Sequence, residues 1–210
     1  MKDLLCAVAD KNMEAAVAAL LERPEAMGIR KVSFDVFVHP RRDPGLFREG
    51  LEILRQVRQG YLHALVILDA SWDGAPADIQ ARLDRALDGA GLGEWARTIV
   101  IAPELEVWVW SESRHVEQIL GWSGRSPGLR GWLEQQRLWT GGSLKPAEPK
   151  RALEAALREV SKPRSSAIYR AIARKVSLDR CRDPAFQRLR DTLRKWYGLE
   201  AEHDARPQAD

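Results

Sequence analysis

The stretch HALVILDASWDG, His63–Gly74, decides how the chain is read. Ala64 to Leu68 form an apolar run that ends abruptly in Asp69, with Asp73 and Gly74 close behind. A short continuous apolar run bounded by turn residues is the pattern of a strand buried on both faces, as in the middle of a parallel sheet. An acid at the end of such a strand has two readings. Asp69 either shapes the turn that follows, or sits where α/β proteins place chemistry, beyond the carboxyl ends of the strands.

The flanking segments supply the rest of an α/β alternation. DLLCAVA reads as a first buried strand, ending at Asp10, and NMEAAVAALLERPEAM as one helix with Asn12 at its N-cap. KVSFDVFVH alternates Val32, Phe34, Val36 and Val38 against Ser33, Asp35 and Phe37, a half-buried strand. PRRDPG is a loop by its turn residues, and LFREGLEILRQVRQ has helical spacing. PADIQARLDRALDGAG is the next helix, with Pro76 at its start and glycines at its end. ARTIVIAPELEVWVW reads as a fourth strand region, broken or bulged near Pro103. Five helical segments follow, separated by the Gly/Pro-rich loop TGGSLKPAEPK. The expected architecture is α/β: a largely parallel sheet flanked by helices over residues 1–122, then an all-helical basic region over 123–198 packed on it. Residues 199–210 read as a frayed polar tail.

Composition narrows the functional classes. Over 210 residues, 45% hydrophobic and 30% charged content suits a globular domain, and no apolar run approaches the roughly 20 residues needed to cross a bilayer. The apolar stretch in MKDLLCAVAD is too short for a secretory signal, and Cys6 and Cys181 fit neither a CxxC motif nor a thiolate zinc site, so a reducing cytoplasm is the expected setting. Charge is unevenly placed. Lys145–Tyr197 holds 15 Lys/Arg against 6 Asp/Glu, a net +9, whereas Met1–Leu144 holds 17 against 20, a net −3. The basic part suits a polyanion such as DNA or RNA, and equally a solvated helical face. Walker, GxGxxG, GxSxG and HExxH motifs are absent from the sequence.

The acids form the sharpest constellation. Asp10 follows the first strand and Asp69 ends the third, so both belong to one sheet edge. Glu104 and Glu106 share a face if their segment stays extended. Asp10, Asp69, Asp73, Glu104 and Glu106 together would make an oxygen-ligand site for Mg²⁺ or Mn²⁺, with Asp69, Asp73, Glu104 and Glu106 as ligands and Asp10, Asp69 and Glu106 in catalytic roles. The alternatives are structural: Asp10 as a helix cap, Asp73 as a turn residue, Glu104 as surface. Arg41 and Arg42 in HPRRDPG are candidates for phosphate contact, as are Lys162, Arg164 and Ser165 at the start of SKPRSSAIYR, and Lys175 further along. Ordinary turn and cap roles stand beside those readings. The tryptophans at 108, 110, 122, 132, 139 and 196 read mainly as core.

An acid after a first strand, then VILDASWDG, then APELEVWVW resembles the TOPRIM-like proteins of bacterial phage-defence loci. More narrowly, LLCAVADKNMEAAVAALLERP, FVHPRRDPG, PELEVWVWS, KPRSSAIYR and DPAFQRLRDTLRKW resemble the small fourth component of methylation-associated defence systems, from Leu4 to about Trp196. The resemblance implies a TOPRIM-like sheet, binding of nucleic acid with metal-dependent phosphodiester cleavage, and other proteins of the same system as partners. It equally admits a non-catalytic scaffold that docks or regulates such a partner. The chain has Asp10 where TOPRIM nucleases usually have Glu, and Asp69-Ala70-Ser71 where they usually have Asp-x-Asp.

Overall fold

The computed structural model describes residues 1–72, 76–111 and 113–199. Four strands, β1 (Lys2–Val8), β2 (Phe34–Val38), β3 (Tyr61–Asp69) and β4 (Ala96–Ile101), form one all-parallel sheet in the order β2-β1-β3-β4. The apolar run of β3 lies centrally, with Ala64 to Leu68 at most 2% exposed. Burying each large aliphatic side chain there stabilises the fold by about 1.5–3 kcal/mol. β2 is the half-buried edge that its alternation predicts, with Phe37 on the exposed phase.

Helices α1 (Lys11–Leu21), α3 (Arg42–Val57) and α4 (Pro76–Gly89) make the three crossovers. The chain winds from β1 outward to β2, then reverses past β1 to β3 and β4. Right-handed crossovers therefore place α1 on one face and α3 and α4 on the other. The reversal makes the carboxyl ends of β1 and β3 a topological switch point, where the two connections part and leave a crevice.

The expected long first helix is two helices. α1 stops at Leu21, and the short α2 (Pro24–Met27) starts with Pro24, which cannot continue the hydrogen-bond ladder of α1. Asp10, not Asn12, caps α1: its Oδ1 accepts from the backbone N–H groups of Asn12 and Met13, both at 2.9 Å. The PRRDPG segment is a loop only at its beginning, since α3 already starts at Arg42.

The C-terminal helices are α5 (Arg114–Leu120), α6 (Leu129–Gln135), α7 (Pro149–Glu159), α8 (Ser166–Lys175) and α9 (Pro184–Tyr197). α8 packs along α1, and α9 packs against β4 on the same side. Trp110 and Trp122 are buried and donate to the carbonyls of Pro149 and Ala156 on α7. Trp108, Trp132, Trp139 and Trp196 are half-buried against the core. No helix among the described residues is long and apolar enough to cross a membrane.

Candidate functional site

The switch point is built by three local structures. β1 delivers Asp10 to the first turn of α1. β3 delivers Asp69 from the core. Between them, the turn from His39 to α3 delivers an acid absent from the sequence-based set, Asp43. That turn is tight. The Arg41 N–H donates to Nδ1 of buried His39 at 3.1 Å, and His39 Nε2 lies 3.4 Å from a Glu49 carboxylate oxygen. A Cβ at Gly45 would meet the His39 ring at 2.2 Å, so only glycine lets the first turn of α3 close over it. Arg42 takes a left-handed φ of 51° as the helix begins. Asp43 Oδ1 then accepts the backbone N–H of Asp69 at 2.7 Å, tying α3 to the end of β3.

Asp69 is the member of the group with an unsatisfied oxygen. Its Oδ1 is buried and has no hydrogen-bond partner among the described residues. Burial first, then the charges of Asp43, Glu106, Asp10 and Glu104, push its carboxyl well above the usual carboxylate range. A lone acid in such surroundings takes up a proton, because an unpaired buried charge is costly. Asp43 is raised too, by burial against the opposing Asp69 N–H bond. Glu104 is raised by burial and by Glu106. Beside the group, the buried Trp72 Nε1 also lacks a partner among the described residues, and the Trp72 ring packs at a tilt on Phe47, 5.1 Å between centroids.

The segment carrying Glu104 and Glu106 does not stay extended. After β4 the chain passes a cis Ala102–Pro103 bond into a 3₁₀ turn, Leu105–Trp108, so the two acids do not share a strand face. Each is held by a different C-terminal helix. Glu104 accepts the Lys150 N–H of the first turn of α7 at 3.0 Å. Glu106 is buried, accepts the Tyr169 hydroxyl of α8 at 2.5 Å, and lies 3.3 Å from the Arg164 guanidinium.

The expected anion site at the start of α8 has a different composition. Arg164 is bound by Glu106 and by Glu154 at 2.8 Å, and Lys162 donates to the Ile119 carbonyl in the last turn of α5. Ser165 is the N-cap of α8 without a side-chain cap bond, and Lys175 is exposed at its far end. Arg41 and Arg42 are exposed at the mouth of the crevice, with Arg41 paired to Glu49. Asp73 lies outside the described residues.

The structure thus brings Asp10, Asp43, Glu104 and Glu106 into electrostatic range of Asp69, with Asp10 also acting on Asp43 and Glu106 on Glu104. It does not bring three of them into a closed ligand set: among the described residues, no three His, Cys, Asp or Glu side chains form a ready metal-holding group. The donor chemistry still suits a hard divalent cation. Carboxylate oxygens are the ligands such ions take, and a cation at Asp69 Oδ1 would supply the missing partner and offset the crowded charge. Asp43, missed in the sequence, had one legible signal: an acid in the first turn of a helix that follows a strand end.

No protein-family model, curated protein or solved structure matches the chain.

Proposed function

We propose that the chain binds Mg²⁺ or Mn²⁺ at the crevice between β1 and β3 and acts there on nucleic-acid phosphodiesters, as a component of a bacterial phage-defence system. One observation carries the cation: Asp69 ends the central strand with an orphaned buried oxygen, among four other acids. Asp69 and Asp43 would hold the ion, with Asp10 across the switch point. A cation there supplies charge neutralisation for in-line phosphoryl displacement and a more acidic bound water. The chain's own residues divide the remaining work. Asp43 fixes the end of β3 through the Asp69 N–H. Arg41 and Arg42, exposed at the mouth, approach a phosphate backbone without entering the acid group. Glu106, clamped by Tyr169 and Arg164, joins α8 to the crevice and acts as a positioning residue. The TOPRIM-like resemblance and the acids beyond strand ends of a parallel sheet support the nuclease-like reading, and the resemblance alone supports the defence role and other proteins of that system as partners. Incubation with single- and double-stranded DNA and RNA in Mn²⁺ tests it. Cleavage that Asp69→Asn abolishes, in a variant with unchanged circular dichroism, is the expected result. Cleavage of equal rate in Asp69→Asn refutes it.

A second reading has its own observation. Asp10, Glu104 and Glu106 each spend an oxygen on a protein donor. A site so engaged suits a non-catalytic TOPRIM-like scaffold that docks a partner protein of the same system. Intact nucleic acid in every metal tested, with co-purification of a system protein, is its signature.

A further inference from the structure

The two edges of the sheet are treated differently. On β4 the groups that point away from the sheet belong to Ala96, Thr98 and Val100, because Trp95 and Ile101 carbonyls bond inward to β3. Side chains close this edge. Gln80 Nε2 donates to the Thr98 carbonyl at 3.1 Å while Gln80 Oε1 accepts the Val100 N–H at 3.1 Å, so one side chain imitates a neighbouring strand. Arg188 Nε adds a bond to the Thr98 carbonyl at 2.9 Å, and Arg97 one to the Ala96 carbonyl at 3.0 Å.

β2 has no such closure. Its inward groups are fixed by the bonds at its two ends, Leu4 N–H to the Ser33 carbonyl and His39 N–H to the Val8 carbonyl. The alternation of a parallel ladder then turns the N–H and C=O of Phe34, Val36 and Val38 outward. None of these six groups has a hydrogen-bond partner among the described residues. The strand FDVFV is short and carries Asp35, but it contains no Lys, Pro or bulge to blunt the edge further. Phe37 is 39% exposed on one face. Beside the strand lies a concavity of 380 Å³ whose lining mixes Phe34 and Val36 with the charged Lys11, Glu14, Asp35 and Arg170.

We infer that β2 is a self-association edge, and that its occupant is the β2 of a second copy of this chain, antiparallel about a two-fold axis at Val36. The argument is complementarity. In that register Val36 faces Val36, and Phe34 faces Val38 of the second copy, so each outward-pointing residue meets another. Those are the hydrogen-bonded pairs of an antiparallel ladder. Aromatic–aliphatic pairs lie across the seam on the α1 side, which is a favourable cross-strand combination. On the opposite face Asp35 meets Phe37 of the second copy. No like charges oppose each other within the strand, and Asp35 stays an ionised carboxylate, paired with Lys2 at 2.5 Å and bonded by the Tyr61 hydroxyl at 2.7 Å. The result is one continuous eight-stranded sheet with isologous symmetry. This inference is independent of the metal reading.

Light scattering on the full chain at high micromolar concentration tests it, with two substitutions at exposed Phe37 that leave the core untouched. The wild type is expected as a dimer. Phe37→Asp sets a carboxylate against Asp35 of the other copy and yields monomer. Phe37→Lys sets an ammonium there and keeps the dimer, now weakened by added salt. A wild type that stays monomeric, or a dimer indifferent to Phe37→Asp, overturns the inference. Loss of the dimer in both variants alike overturns the register about Val36.

Discussion

Asp69 carries the account at the level of single residues. Its carboxyl is raised by burial and by like charges, so in the folded chain it holds a proton that the unfolded chain has already released. The sign of the linkage follows. The folded state is favoured at low pH, and stability falls as pH rises from the ordinary carboxylate value toward the raised one. Asp69→Asn keeps the shape of the protonated acid and cannot ionise. It is therefore expected to unfold at a higher temperature than the wild type at neutral pH, with the difference vanishing near pH 4 and below. Thermal denaturation across pH reads this directly, and a variant less stable at neutral pH contradicts it. Such a residue, costly to the fold, is characteristic of a site kept for function. Asp69 was legible in the sequence because an acid abruptly ends an apolar run. Asp43 was harder to find, because Pro and Gly beside it are turn formers, so PRRDPG reads as a loop and the start of α3 within it goes unseen. The local conformation there is set by the close approach of Gly45 to the His39 ring, a tertiary contact.

Among the elements, the strands were the most legible. Apolar runs and one alternating segment place all four, and the buried centre of β3 follows from its composition alone. The PELEVW segment shows the opposite case. Its β-branched and aromatic residues favour a strand, yet it forms a 3₁₀ turn, because Glu104 and Glu106 are each taken up by a helix distant in sequence. The first helix raises a separable question. Asp10 serves α1 as a cap, and its charge serves the crevice. Asp10→Asn preserves a cap-competent oxygen and removes the charge, whereas Asp10→Ala removes both. Asp10→Ala is expected to lose about 1 kcal/mol of stability by chemical denaturation and Asp10→Asn only a small part of that. Equal stability of Asp10→Ala and wild type contradicts the cap.

For the molecule as a whole, the C-terminal helices are part of the site's construction. α7 and α8 reach back to Glu104 and Glu106, and α9 closes the β4 edge through Arg188. The excess of basic residues in this region is therefore partly spent inside the protein: Arg164 on Glu106 and Glu154, Arg188 on Asp84, and Arg170 and Arg174 on Glu22. Net charge in the sequence announced a basic region but not which of its cations face internal acids. Exposed cations beside the crevice come instead from the acidic half of the chain, Lys11 next to Asp10 and Arg41 and Arg42 next to Asp43. The central claim is that the acids at the switch point hold a divalent cation, and thermal unfolding of wild type and Asp69→Asn with and without saturating Mn²⁺ tests it most directly. The account predicts a rise in the wild-type midpoint, growing from acid to neutral pH as the cation replaces the Asp69 proton, and none in Asp69→Asn. An unchanged wild-type midpoint, or an equal rise in both proteins, would contradict it.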